Sequence, residues 1–294
     1  MSSLKDLWWA ARNPPADPQH LDFKDKAVLV TGANSGLGHA AAIKYAALGA
    51  KPLILAVRSQ EKGEEAKANI IRATGCSPDI FMIEILELTS FESVKGFAQR
   101  IKKLPQLHVA QLVAGISMPT FSKSPHGHEM ALQVNVLSTT LLALLLLPKL
   151  SETAATVGPD SYVPHLSFVN SVAHLEVKPD WLANDSQSLI QRLEDETKFD
   201  KISQYYLAKL AGMFAMRGIA ERIANNRVVV NASCPGMCKT NMGRNHPLAE
   251  RIFMAIFYFF FGRTAEQGSR TLVSATGLGP ESHGRFWTND KYLP

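Results

Sequence analysis

The stretch AVLVTGANSGLGHAAAIKYAALGA, residues 27–50, decides the fold. A short apolar segment runs into a glycine-rich turn, and the turn opens directly into an alanine-rich segment with helical character. That order reads as strand, turn and helix, an arrangement that lays a dinucleotide pyrophosphate on backbone N–H groups at a helix N-terminus. Gly32 lets the chain turn sharply, Gly36 lets the backbone approach the phosphates, and Gly38 lets the helix pack closely on the strand. Asn34, Ser35 and Leu37 complete the loop. The pattern therefore predicts a dinucleotide cofactor of the nicotinamide type. Its spacing is TGxxxGxG rather than GxGxxG, and glycine turns of this kind also occur without a ligand, so residues elsewhere must decide.

Alternation of the same kind continues along the chain. Apolar, β-prone runs near 26–31, 52–57, 80–86, 107–113, 162–170, 227–233 and 284–288 are separated by helical patterns over 36–49, 60–74, 90–103, 128–154 and 203–225, with one or two further pieces in 241–276. Strands alternating with helices imply right-handed parallel crossovers, hence an α/β fold: a Rossmann-type doubly wound parallel sheet of about seven strands with helices on both faces. Residues 25–294 are expected to form one domain behind an N-terminal extension, 1–24. Two segments exceed the minimal alternation. Residues 172–204, with Trp181, Asn184, Asp185, Glu194, Asp195 and Glu196, read as an insertion carrying a short helix around 186–196, and 241–262 reads as an aromatic lid. Both begin at carboxyl ends of strands, where ligand sites lie in such sheets.

Composition narrows the function classes. The chain has 294 residues, 46% of them apolar, enough for a substantial core. Its net charge of +5 is spread along the sequence without a basic tract, which argues for an ordinary solvated surface and against nucleic acid. Cys76, Cys234 and Cys238 lack the partners for a metal site, so no metal is expected and the thiols are read as reduced, in the cytoplasm. The N-terminus has no apolar run of signal-peptide length. Trp8 and Trp9 beside Lys5 and Arg12 fit either peripheral contact with a membrane or a short helix folded back onto the body. LLALLLLPKL (141–150), ending near Pro148, and IFMAIFYFFFG (252–262) are both too short to span a bilayer.

Tyr205 and Lys209 stand at i and i+4 on a predicted helix, so their side chains share one face. A phenol with a pKa of about 10 is a poor proton carrier near neutrality, and an adjacent ammonium lowers that value. Such a pair can protonate a carbonyl oxygen or deprotonate an alcohol.

Taken in order, TGANSGLG, Asn135 in LQVNVLS, Ser171 in SFVNSVAH, YYLAK (205–209) and PGMCKT (235–240) resemble the short-chain dehydrogenase/reductase family over about residues 25–290. ANSGLG, SVAH and the long serine-to-tyrosine spacing look most like its retinol-dehydrogenase-like and WW-oxidoreductase-like branch and related pathway reductases. The resemblance implies that Tyr205 is the general acid/base, that Lys209 lowers its pKa and holds the nicotinamide ribose, and that Ser171 hydrogen-bonds the substrate oxygen. It further implies that Asn135 holds a water linking Lys209 to solvent, that Pro235 and Gly236 line the nicotinamide, and that Thr240 binds its carboxamide. Ala114 and Gly115 fall where the family follows its fourth strand, and Glu87 and Leu88 where it meets the adenine.

The cofactor form rests on Arg58. It follows the second strand in LILAVRS, where a dinucleotide enzyme presents an acid to the ribose 2′-hydroxyl or a cation to the 2′-phosphate. No acid occupies that position, and a guanidinium suits phosphate, so NADP(H) is expected. Two departures from the family pattern are present: the family's Asn-Asn-Ala-Gly is here Leu112-Val113-Ala114-Gly115, and Asn170 replaces a frequent serine, a change to which little meaning attaches in sequence. Ala211, Ala215 and Gly218 form a small-residue strip that could serve a homodimer or packing on the sheet. The reading is an NADP(H)-dependent ketoreductase of a biosynthetic pathway acting on a bulky apolar carbonyl or alcohol. A non-redox isomerase, dehydratase or cyclase on the same scaffold, or a cofactor-binding scaffold protein, is the alternative.

Overall fold

In the computed structural model, residues 4–156, 158, 162–182, 187–223, 227–240, 242–243 and 246–293 are described. Eight strands form one sheet: β1 (Val28–Thr31), β2 (Leu53–Val57), β3 (Phe81–Ile85), β4 (Val109–Leu112), β5 (His165–Val169), β6 (Val229–Ser233), β7 (Phe286–Thr288) and β8 (Lys291–Leu293). Their order is β3-β2-β1-β4-β5-β6-β7-β8, all pairs parallel except the last. The expected parallel sheet is therefore present, with one strand more. β8 follows a tight turn through Asn289 and Asp290, both at positive φ, and its three residues are too few to show a period in sequence.

Alternating residues of the strands feed two cores. Leu29, Ile54, Ala110 and Leu166 point to one face, under α4 (Phe91–Lys102), α6 (Thr139–Thr156) and α8 (Lys201–Glu221). Val28, Val30, Leu53, Leu55 and Val109 point to the other, under α2 (Gly36–Ala47) and α3 (Gln60–Thr74), with α10 (Ala265–Ala275) packed against α2. Both faces are covered, which is why the strands read as continuous apolar runs. The strand order reverses between β1 and β4, and the crevice beyond their carboxyl ends is the natural ligand site.

The long helical pattern at 128–154 becomes α5 (Met130–Leu132), a π-helical turn over Gln133–Ser138, and α6. Pro148 does not end it. The amide that proline lacks would bond the carbonyl of Leu144, and both residues lie on the exposed side, where water can replace the lost bond. The run Met130–Thr156 is consequently long and apolar enough to cross a membrane by length and composition, unlike the decapeptide within it, but more than half of its most apolar window is buried and Leu142, Leu146 and Leu150 sit in the core. It is a core helix.

The insertion holds α7 (Leu189–Glu194), capped by Ser188 and Gln191, between short 3-10 turns; Asn184 and Asp185 lie outside the described residues. α8 starts at Lys201, two residues earlier than expected, because the Asp200 carboxylate accepts from the N–H groups of Ile202 and Ser203. The extension contributes α1 (Leu4–Arg12), folded back against α9 (Leu248–Phe261).

Candidate active site

At the end of β1, Gly32 takes φ +67° and Gly36 +55°. A Cβ on Gly38 would lie 2.5 Å from the Gly32 carbonyl oxygen, so only glycine lets α2 start this close to the strand. Ser35 caps α2 without a side-chain hydrogen bond, leaving the first-turn amides facing the crevice. Across it, a Cβ on Gly32 would meet Ala114 at 3.3 Å, and one on Gly115 would meet Asn135 Oδ1 at 3.1 Å. This cradle fits a pyrophosphate. Thr31 Oγ1 accepts from the N–H groups of Val113 (2.9 Å) and Ala114 (3.0 Å), so β1 and β4 are tied by a threonine although Val113 offers no side-chain bond.

Arg58 projects from the end of β2, exposed, with no ion pair or side-chain hydrogen bond among the described residues. Glu87 is half-buried, its carboxylate accepting from Thr89 N–H at 3.0 Å, while Leu88 beside it is buried. Thr240 borders the glycine turn: its Cβ would stand 3.6 Å from a Cβ on Gly36.

β5 and α8 bring the proton-transfer candidates together. The Ser171 hydroxyl hydrogen-bonds Tyr205. Lys209 Nζ lies 5.7 Å from the Tyr205 ring centroid and donates to Val169 O at 3.3 Å. Asn135, in the π turn, accepts from Ile116 N–H and donates to Ile116 O, each at 2.9 Å, so both polar atoms of its side chain are engaged. The expected acidic phenol is not what the polypeptide alone produces. Burial pushes the Tyr205 pKa above its ordinary value, the Ser171 hydrogen bond opposes this only in part, and Lys209 exerts no comparable pull. Burial also lowers the Lys209 ammonium to about 8. Desolvation is the largest influence on both groups, and the amine is engaged by a backbone carbonyl.

Beyond β6, Pro235 and Gly236 form the far wall, with Gly236 at φ +78°. Arg263, 2% exposed, donates to Pro235 O at 3.3 Å from behind.

Four contributors escape the sequence reading. Asn170 accepts from Ser171 N–H (2.8 Å) and donates to Lys209 O (3.1 Å), joining β5 to α8; the replacement of serine there carries structural meaning after all. Tyr258 of α9 reaches the surroundings of Tyr205, as does Cys234. His246 bridges Ser117 Oγ (3.3 Å) and Glu250 (2.9 Å), and Glu250 also pairs with Lys201 at 2.7 Å, tying the start of α9 to the segment after β4 and to α8. In sequence, Asn170 showed only as a replaced serine, Cys234 as a non-ligating thiol and Tyr258 as part of the aromatic run; none of them pointed to these contacts. No group of three or more metal-ligating side chains occurs among the described residues.

A short chain dehydrogenase family model matches residues 26–157. The short-chain dehydrogenase/reductase ffsI of Aspergillus flavipes is 44% identical over 291 residues, covering 99% of this chain and 84% of ffsI. The short-chain dehydrogenase/reductase phmF of Phaeosphaeria nodorum is 42% identical over 290 residues, covering 98% and 84%. Among solved structures, a short chain dehydrogenase of Shigella flexneri complexed with NADP superposes with a TM-score of 0.63 at 22% identity, covering 92% of this chain and 99% of the other. One from Sphingobium yanoikuyae in complex with NADPH gives 0.63 at 18%, covering 90% and 87%. With curated relatives this similar along nearly the whole length, and with the glycine turn, Ser171, Tyr205 and Lys209 gathered at one crevice, the chain belongs to the short-chain dehydrogenase/reductase family of oxidoreductases.

Proposed function

We propose that the protein is an NADP(H)-dependent ketoreductase that reduces a bulky apolar carbonyl compound, in a biosynthetic pathway, to the corresponding alcohol. The observation that carries this reading is the convergence of Ser171, Tyr205 and Lys209 beside the glycine turn, with Arg58 free of ion pairs among the described residues at the end of β2. The two solved structures above hold NADP and NADPH, and an exposed guanidinium at this position suits a 2′-phosphate. NADPH, when bound, supplies the hydride that adds to the carbonyl carbon.

The chain's own residues then handle the oxygen. Ser171 orients it, and the Tyr205 hydroxyl gives up its proton as negative charge develops there. A phenol whose pKa burial has raised holds that proton firmly until the developing alkoxide, a stronger base, takes it. Lys209 binds the ribose and favours the resulting phenolate. A relay through Asn135 would use its backbone, because its side chain is spent on Ile116. Tyr258, Met254 and Phe257 on the half-buried side of α9 supply an apolar wall for the substrate.

The test follows NADPH oxidation over a panel of ketones. Tyr205→Phe is expected to lower kcat about 10²–10⁴-fold with little change in NADPH affinity. Arg58→Glu is expected to weaken NADPH by about tenfold to a hundredfold while leaving NADH nearly unaffected. Full activity of the phenylalanine variant would overturn the acid role, and equal losses for both nucleotides would overturn the phosphate contact.

A further inference from the structure

Helix α9 is inverted relative to an ordinary surface helix. It has 14 residues, nearly all apolar, and none is buried. Leu248, Ile252, Ile256 and Phe259 fall on one helical stripe facing outward, flanked by Phe253 and Phe260. Phe259 is 80% and Phe253 69% exposed. Glu250 and Arg251 lie off that stripe by helical spacing, and Glu250 is engaged by Lys201 and His246. α1 lies beside it and adds Leu4, Trp8 and Trp9, also exposed. Nine of the seventeen large apolar side chains exposed among the described residues are on these two short helices.

The patch is held rigid. Arg12 donates to Phe260 O at 3.1 Å and lies 4.0 Å over the Trp8 ring, and Arg263 holds the end of α1 through the carbonyls of Ala10 and Asn13. Its composition identifies the partner. On α1 the tryptophans share their exposed face with Lys5, and Arg251 borders the α9 stripe: aromatic rings beside cations whose long stems can reach the headgroup level, while Arg12 is engaged within the patch. Aromatic rings and arginine suit a protein partner as well, but lysine is depleted in such contacts, so Lys5 beside the tryptophans is what favours a bilayer interface.

We infer that α1 and α9 together form a monotopic attachment surface for an anionic lipid bilayer, with the outward stripe of α9 and the Trp8–Trp9 edge entering the headgroup–acyl boundary. The half-buried side of the same α9 carries Tyr258, which lies within electrostatic reach of Tyr205, so the surface sits on the same side of the molecule as the proposed active site. The attachment is independent of the proposed reaction, and a Tyr205→Phe protein retains it.

The experiment is flotation of the full-length protein with vesicles of phosphatidylcholine alone and of phosphatidylcholine with about one-third phosphatidylserine, read alongside tryptophan emission and sedimentation velocity. The wild-type and Tyr205→Phe proteins should float with the anionic vesicles, with a blue-shifted emission. Ile256→Ser/Phe259→Ser should reduce partitioning about tenfold or more at unchanged NADPH binding. Lys5→Glu/Arg251→Glu, which leaves the apolar stripe intact, should weaken binding to anionic vesicles by about fivefold or more per cation and leave binding to phosphatidylcholine nearly as it was. Absence of flotation for the wild-type protein overturns the inference. So does a wild-type dimer that the serine substitutions convert to monomer without any vesicle binding, which would assign the surface to a second copy.

Discussion

Tyr205 and Lys209 show how far a spacing can be trusted. The i, i+4 relation places both on one face of α8, as the sequence requires, but the proton affinities follow from burial, which no spacing encodes. Lys209 provides a direct check. Its ammonium is lowered from 10.5 to about 8 by desolvation, so between those values the unfolded chain keeps a proton that the folded chain has released. Folded stability should therefore rise with pH across that window, the full burial penalty being present below it. Lys209→Met removes the desolvated, half-buried charge and should stabilise the cofactor-free protein by about 2 kcal/mol at pH 7, the gain shrinking towards pH 10.5. Urea unfolding of both proteins at pH 7, 8.5 and 10 measures this, and parallel pH profiles would contradict it. The glycine turn and the nearness of Ser171, Tyr205 and Lys209 were legible because residue types and their order mark them in sequence. Asn170 was not: its value lies in bonds to Ser171 and Lys209 made across β5 and α8, and an asparagine in sequence carries no mark of its partners.

Elements were legible wherever a period ran long enough. The pattern over 60–74 gives α3 at the same limits, because Ser59 caps one end and Gly75 the other with φ +70°. The π turn carrying Asn135 was hidden, since one extra residue in a turn leaves an apolar helical pattern almost intact. β8 was missed through shortness, and Pro148 was over-read because a helix-breaking residue breaks nothing when its lost bond faces water. Glycines within helices divide in the same physical way. In Gly38→Ala the new methyl meets the Gly32 and Thr31 carbonyls at 2.5–3.0 Å, forcing α2 away from β1. The expected cost is about 1–3 kcal/mol, and NADPH affinity should fall in step as the amides move off the phosphates. Gly96→Ala, in α4, meets only the Arg100 guanidinium at 3.7 Å and should stabilise by about 0.5–1 kcal/mol through helix propensity. Thermal melts and nucleotide titration of the two variants separate packing from propensity; a Gly38→Ala protein as stable and as tight-binding as wild type would refute the packing argument.

At the scale of the molecule, the N-terminal extension is wired to the loop after β6. Arg263 is 2% exposed and donates to three carbonyls: Ala10 and Asn13 at the end of α1, and Pro235 in the loop whose Gly236 stands at φ +78°. A Cβ at Gly236 would lie 3.0 Å from the guanidinium, so the arginine also shapes the turn it holds. Lys44 makes a second tie, pairing with Asp17 and Glu266 at 2.7 Å each. These links join the first twenty residues to the far end of the chain, and a reading by local pattern cannot see them. Arg263→Met should strand the buried carbonyl of Pro235 and release the more accessible carbonyls of Ala10 and Asn13, at a cost of about 1–3 kcal/mol, and Arg263→Lys should recover little of it, since one ammonium cannot span a fork of three acceptors. Because the same guanidinium fixes the Pro235–Gly236 turn, both variants should also bind NADPH more weakly and expose the end of α1 to protease. Urea midpoints, nucleotide titration and limited proteolysis report on the three ends of the clamp. If NADPH affinity stays at the wild-type value while α1 becomes cleavable, the extension is fastened by Arg263 but mechanically separate from the cofactor loop, and the coupling argued from the shared guanidinium is wrong.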